Sequence, residues 1–150
     1  MIQSIDGTRK IINHTRFGCA LQRTARGLLS YSVTKQGYGF QDGGCQLFAE
    51  ALYIWSDGQL RPRAAYTGNR AQHVFVQGQS IAFDSDGIAI IPDMRRKLEL
   101  LECLVNVRFG NYRWGQSPTI PRDMVESEYL ARMIGEELGC FRSIHEIVNG

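Results

Sequence analysis

Apolar side chains gather in a few stretches of the chain, and the spacing within each predicts a different element. From 46 to 55 only Gln46 and Glu50 interrupt Leu47, Phe48, Ala49, Ala51, Leu52, Tyr53, Ile54 and Trp55, which predicts a helix apolar nearly all round and therefore central. Ser56-Asp57-Gly58 ends it with turn chemistry. Upstream, Ala20, Leu21, Thr24, Ala25, Leu28 and Leu29 recur at offsets of three and four, the stripe of an amphipathic helix. The two helices are separated by Gly37-Tyr38-Gly39-Phe40-Gln41-Asp42-Gly43-Gly44, a loop rich enough in glycine to bend sharply.

Beyond the central helix the period shortens. Residues 61–67 predict a strand, and 73–77 with 80–84 predict a hairpin around Gly78-Gln79. Residues 88–91 add a further strand before Pro92. Pro92-Asp93 opens a helix in which Met94, Lys97, Leu98, Leu101, Leu104 and Val105 form the inward stripe while Arg95, Arg96, Glu99 and Glu102 face out. Residues 106–118 read as loop or irregular edge. Pro121 begins a last long helix that ends at Leu138 before Gly139, and 144–148 form a short final turn. This order predicts an α+β fold, a small antiparallel sheet packed against a central helix.

Length and composition narrow the class. At 150 residues the chain fits a single domain, 1–150, since domains commonly hold ~100–150 residues. With 43% apolar and 21% charged residues neither disorder nor a fibrous architecture is indicated. The sequence lacks an export signal and an apolar run long enough to span a membrane, so a cytoplasmic protein with reduced thiols is expected. Cys19, Cys45, Cys103 and Cys140 lack paired spacing, which argues against a zinc site. For Cys19, Cys103 and Cys140 packing within or beside helices is expected. A net charge of +2 does not by itself imply a nucleic-acid partner, although Arg9, Lys10, Arg16, Arg23 and Arg26 make the start locally basic.

Cys45 stands apart because it follows the glycine loop and opens the apolar helix. A helix N-terminus favours thiolate over thiol and lowers a pKa otherwise near ~8.5. His73 opens the first strand of the predicted hairpin and Asp84 closes the second, so the turn brings them together. Cysteine nucleophile, histidine acid/base and an acidic residue fixing the imidazole tautomer are the parts of acyl transfer. Asp86, two residues on, is an alternative orienter.

Gly43-Gly44-Cys45 at a helix start, then His73-Val74-Phe75-Val76, then Phe83-Asp84-Ser85-Asp86-Gly87, resembles the papain-like cysteine hydrolase superfamily. The closer likeness is to its compact bacterial and phage branches, which include cell-wall amidases and transglutaminase-like proteins. The resemblance covers 41–87 and implies a papain-like fold with Cys45 as nucleophile, His73 as acid/base and Asp84 as orienter. It also implies that Gln41 supplies a side-chain donor to an oxyanion, with the backbone N–H of Cys45 as the second donor. Gln46 and Leu47 follow the cysteine where the plant proteases carry an aromatic residue.

The expected activity is a cysteine hydrolase, peptidase or amidase in type, acting on an amide or thioester bond of a peptide, protein or small conjugate, without metal or cofactor. Asp84 and Asp86 before Gly87 resemble part of a calcium loop, but Ile88 to Ile91 stand where the remaining oxygen ligands belong. His14 and His145 lack ligand-spaced partners. Arg108 to Gly115 interleaves cations with aromatic residues, which suits either packing over the core edge or binding. The alternative function is a non-enzymatic binding or inhibitor protein, of phage or mobile-element type, working through that basic and aromatic surface.

Overall fold

The helix that the sequence makes most apolar lies at the centre of the larger of two cores. In the computed structural model, which describes residues 18–27, 44–117 and 122–140, it runs Cys45–Trp55 and buries every residue from Gln46 to Leu52. A helical segment at 18–27, α1, precedes this helix, α2. Strands β1 (Arg61–Thr67), β2 (Arg70–Gln77), β3 (Ile81–Asp84) and β4 (Gly87–Ile90) follow, then α3 (Ile91–Leu101), β5 (Arg108–Asn111) and α4 (Met124–Leu138). The sheet order is β4-β3-β2-β1-β5, with antiparallel neighbours throughout. The fold is α+β.

Both faces of this sheet are covered. Alternation along the strands sends Ala64, Tyr66, Val74, Val76 and Phe83 to α2, where Leu21 and Ala25 of α1 and Leu130 and Ile134 of α4 complete one core. Ala65, Phe75 and Ala82 point the other way, to Met94 and Leu98 of α3. Strands buried on both sides carry unbroken apolar runs such as Val74-Phe75-Val76, which is why β2 shows no polar alternation.

The β1–β2 pairing contains a bulge that matters for the site. Ala65 faces His73 and Tyr66 faces Ala71, so Gln72 is the extra residue. Parity flips across it. Ala71 and Val74, three apart, therefore share the α2 side. His73 is left on the Phe75 side, its ring stacked on Phe75 with centroids 6.1 Å apart.

Polar groups on α2 have named partners. Glu50, buried, is held by Arg122 at 3.0 Å, and Gln46 accepts from the Tyr112 hydroxyl and, at 3.4 Å, from the Gly115 N–H. Ser127 of α4 donates to the Leu47 carbonyl at 3.2 Å. These bonds fasten α2 to α4 and to the segment after β5.

Several boundaries differ from the sequence expectation. β2 starts at Arg70 rather than His73, because Gly68, at φ 62°, turns β1 directly into it. α3 stops at Leu101; Cys103 and Asn106 both take φ 54°, which breaks the helical path, and Leu101 and Val105 are about three-quarters exposed instead of inward. Residues 106–118 include the edge strand β5. α4 begins at Met124, since the Asp123 side chain accepts from the Glu126 N–H and caps the helix there. Cys19, Cys103 and Cys140 are exposed rather than packed. Leu28, Leu29, loop residues 37–43, His14, His145 and the 144–148 turn lie outside the described residues. Among the described residues no helix is long and apolar enough to cross a membrane.

Candidate active site

Two elements, α2 and β2, meet at the sulfur of Cys45. Gly44 is the N-cap residue of α2 and gives the helix no side-chain cap, and the first turn holds no acidic residue, so the positive end of the helix dipole acts on the thiol unopposed by either. β2 supplies His73 and the Val74 N–H, which donates to the sulfur as the Gln46 N–H does. β3 pairs with β2 only at Val76–Phe83 and Gln77–Ala82 within the described ladder, leaving Val74 beyond its last rung. Cys45 approaches from the α2 side, and the His73 ring meets it from the Phe75 side of the strand.

The imidazole is held at both nitrogens. Its Nε2 lies 2.8 Å from Asp84 Oδ2, which leaves Nδ1 for the hydrogen bond to Cys45. Asp84 closes β3 and shares the sheet face of Ala82 by alternation, so its carboxylate lies across from His73. His73 and Asp84 are both buried, with about 6% and 5% of their surface exposed, while Cys45 is half-buried.

The charges reinforce one another. Burial pushes the Cys45 thiol up, but the hydrogen bond and positive charge of His73, with the N–H groups of Val74 and Gln46, outweigh it and the net shift is downward. Burial opposes a charged His73 too. Hydrogen bonds to Asp84 and Cys45 and their negative charges overcome that and raise it to about 9. Burial would raise the Asp84 carboxyl, yet His73 and then Lys97 bring it down to about 2. Each shift favours the charged form of its group: thiolate at Cys45, imidazolium at His73 and carboxylate at Asp84.

Cys45, His73 and Asp84, named from the sequence, are thus brought into one hydrogen-bonded chain. Asp86 is not the residue at His73 Nε2: its N–H donates to Asp84 Oδ1 at 2.9 Å, and its carboxylate lies 3.0 Å from Lys97 Nζ. Gln41 lies outside the described residues.

Sequence reasoning missed two contributors. Lys97 of α3 binds Asp84 Oδ2 at 2.7 Å, and its signal was a cation on the inward stripe of an amphipathic helix. Tyr112 is near enough for the Cys45 charge to reinforce the upward shift that burial gives its phenol. That contact had no sequence signal, because only the β1–β5 pairing carries residue 112 to the start of α2. Tyr112 and Tyr53 each meet Trp114 edge-on, at 6.0 and 5.7 Å, and Arg108 lies over the Tyr66 ring, so these aromatic groups pack internally. Among the described residues no cluster of three or more His, Cys, Asp or Glu is placed to hold a metal ion.

Compared with protein-family models, with curated proteins and with solved structures, the chain matches none.

Proposed function

We propose that the protein is a cysteine hydrolase of papain-like arrangement, acting on an amide or thioester bond. The observation that carries this reading is the continuous chain Cys45, His73, Asp84 at a helix N-terminus without a side-chain cap. The Cys45 thiolate attacks the carbonyl carbon, and the oxygen becomes an oxyanion beside the first N–H groups of α2. His73, already protonated, gives its proton to the departing amine or thiolate as the bond to the carbonyl breaks, leaving an acyl-cysteine. Neutral His73 then takes a proton from water, the resulting hydroxide equivalent attacks the thioester, and the acid and the thiolate–imidazolium pair are released. Asp84 remains ionised throughout and keeps Nε2 protonated, so that Nδ1 alone exchanges protons.

Alkylation with iodoacetamide near pH ~6, where an ordinary thiol is almost wholly protonated, tests the resting state. Cys45 is expected to react at least ~10-fold faster than exposed Cys19, Cys103 and Cys140, as followed by peptide mass spectrometry. Equal or slower labelling of Cys45 defeats the reading. A binding protein working through its basic and aromatic surface would instead keep its biological effect in Cys45→Ala and His73→Ala.

A further inference from the structure

Lys97 is the charged side chain that the steps above leave without a part. It lies on the side of α3 turned to the sheet, next to buried Leu98 and one turn from buried Met94, with its side chain 21% exposed. Its Nζ stands 2.7 Å from Asp84 Oδ2 and 3.0 Å from Asp86 Oδ2. Asp84 Oδ2 is the very atom that His73 Nε2 meets at 2.8 Å, so ammonium and imidazolium share one oxygen and lie within two hydrogen-bond lengths of each other. Asp84 Oδ1 is occupied as well, by the Asp86 N–H at 2.9 Å. The β3–β4 turn that carries both carboxylates is thereby clamped from α3.

We infer that Lys97 is a positioning residue of the Cys45 site: it fixes Asp84 against His73, draws the Asp86 carboxylate away, and limits by its charge how firmly His73 keeps its proton. The inference rests on the hydrolase reading. A buried carboxylate acting alone on an imidazolium would hold the proton too tightly for transfer to a leaving group, and a second cation on the same oxygen weakens that hold. The charged groups around His73 are Cys45 from α2, Asp84 from β3, Asp86 from the turn and Lys97 from α3; Tyr112 approaches Cys45 from the segment after β5. Of these, Lys97 is the fixed positive charge.

The test uses the full chain with Cys19, Cys103 and Cys140 changed to Ser, and follows the His73 ring by NMR titration together with the pH dependence of Cys45 alkylation. Lys97→Met should raise the pH at which His73 loses its proton by on the order of one unit, and Lys97→Arg should return it toward the parent. A purely structural lysine would change the melting temperature without moving that titration. A folded Lys97→Met whose His73 titrates where the parent's does overturns the inference. If Lys97→Met does not fold, the unmutated chain still decides: the Lys97 ε-carbon signal must step at the pH where His73 deprotonates, because coupled sites report each other's charge. A flat signal through that pH overturns the inference equally. Failure of the underlying reading looks different: Cys45 reactivity in the parent would then be indifferent to His73→Ala, whatever Lys97 does to the imidazole.

Discussion

At the scale of single residues, the choice between Asp84 and Asp86 shows how little separates an orienter from a neighbour. Both precede Gly87 and both reach Lys97, but only Asp84 ends β3 on the face where His73 lies. Its partners hold its carboxyl at about 2 and keep His73 at about 9, so loss of its charge falls directly on the imidazolium. Asp84→Asn is expected to bring the His73 titration down toward its ordinary range and to slow Cys45 alkylation at neutral pH by about tenfold, one pKa unit being a factor of ten. Asp86→Asn should move the titration much less. An ordering of the two variants opposite to this, read from the same alkylation profiles, would reassign the orienter. The sequence put Asp84 first and left Asp86 open as the alternative, because their difference lies in where the hairpin stops pairing.

At the scale of elements, the site depends on β4 and α1 meeting closely. Gly87 takes φ 109°, and a Cβ there would stand 2.8 Å from the Gly18 carbonyl oxygen. Gly87→Ala is strained on both counts, and a loss of ~2–3 kcal/mol in denaturant unfolding is expected. Because Gly87 pairs with Asp84 across the turn, the same variant should also blunt Cys45 reactivity. An unchanged denaturation midpoint would contradict the close approach.

Most elements could be read along the chain. α2 was visible because a helix buried on all sides is apolar on all sides, and the β2–β3 hairpin because β-branched and aromatic runs flank a glycine turn. The end of α3 was not, since its stripe continues in letters to Val105 while two residues of positive φ break it in space. β5 was hidden for another reason. An edge strand of four residues, Arg-Phe-Gly-Asn, carries almost no period of its own and exists because β1 offers it a partner.

Across the whole molecule, the buried ion pairs couple the fold to pH with a sign that can be worked out. His73 is raised from 6.5 to about 9, so its contribution to stability is complete below 6.5 and is lost as pH climbs through about 9. Asp84 is depressed from 3.8 to about 2, so its contribution is complete above 3.8 and is lost as pH falls through about 2. For these two groups stability is greatest between those limits. Cys45, lowered from its ordinary value, works in the opposite sense to His73, and Cys45→Ala isolates the histidine component. Melting temperature in that variant, where Asp84 alone still raises His73, should decline as pH rises above the ordinary imidazole range, and His73→Gln should flatten the decline. A slope unaffected by removal of the imidazole would mean that His73 is not charged in the folded protein.

The sequence by itself determined that a thiol would open an apolar helix, that a histidine and an aspartate would flank a hairpin, and that helices would cover an antiparallel sheet; each follows from local period and turn chemistry. Tertiary structure decided which carboxylate meets the ring, which N–H groups reach the sulfur, and that a lysine from α3 shares the oxygen held by His73. The reason is physical: periodicity fixes the face a side chain takes, but strand register, a one-residue bulge at Gln72 and the crossing of α3 over β3 set distances, and charge interactions depend on distance.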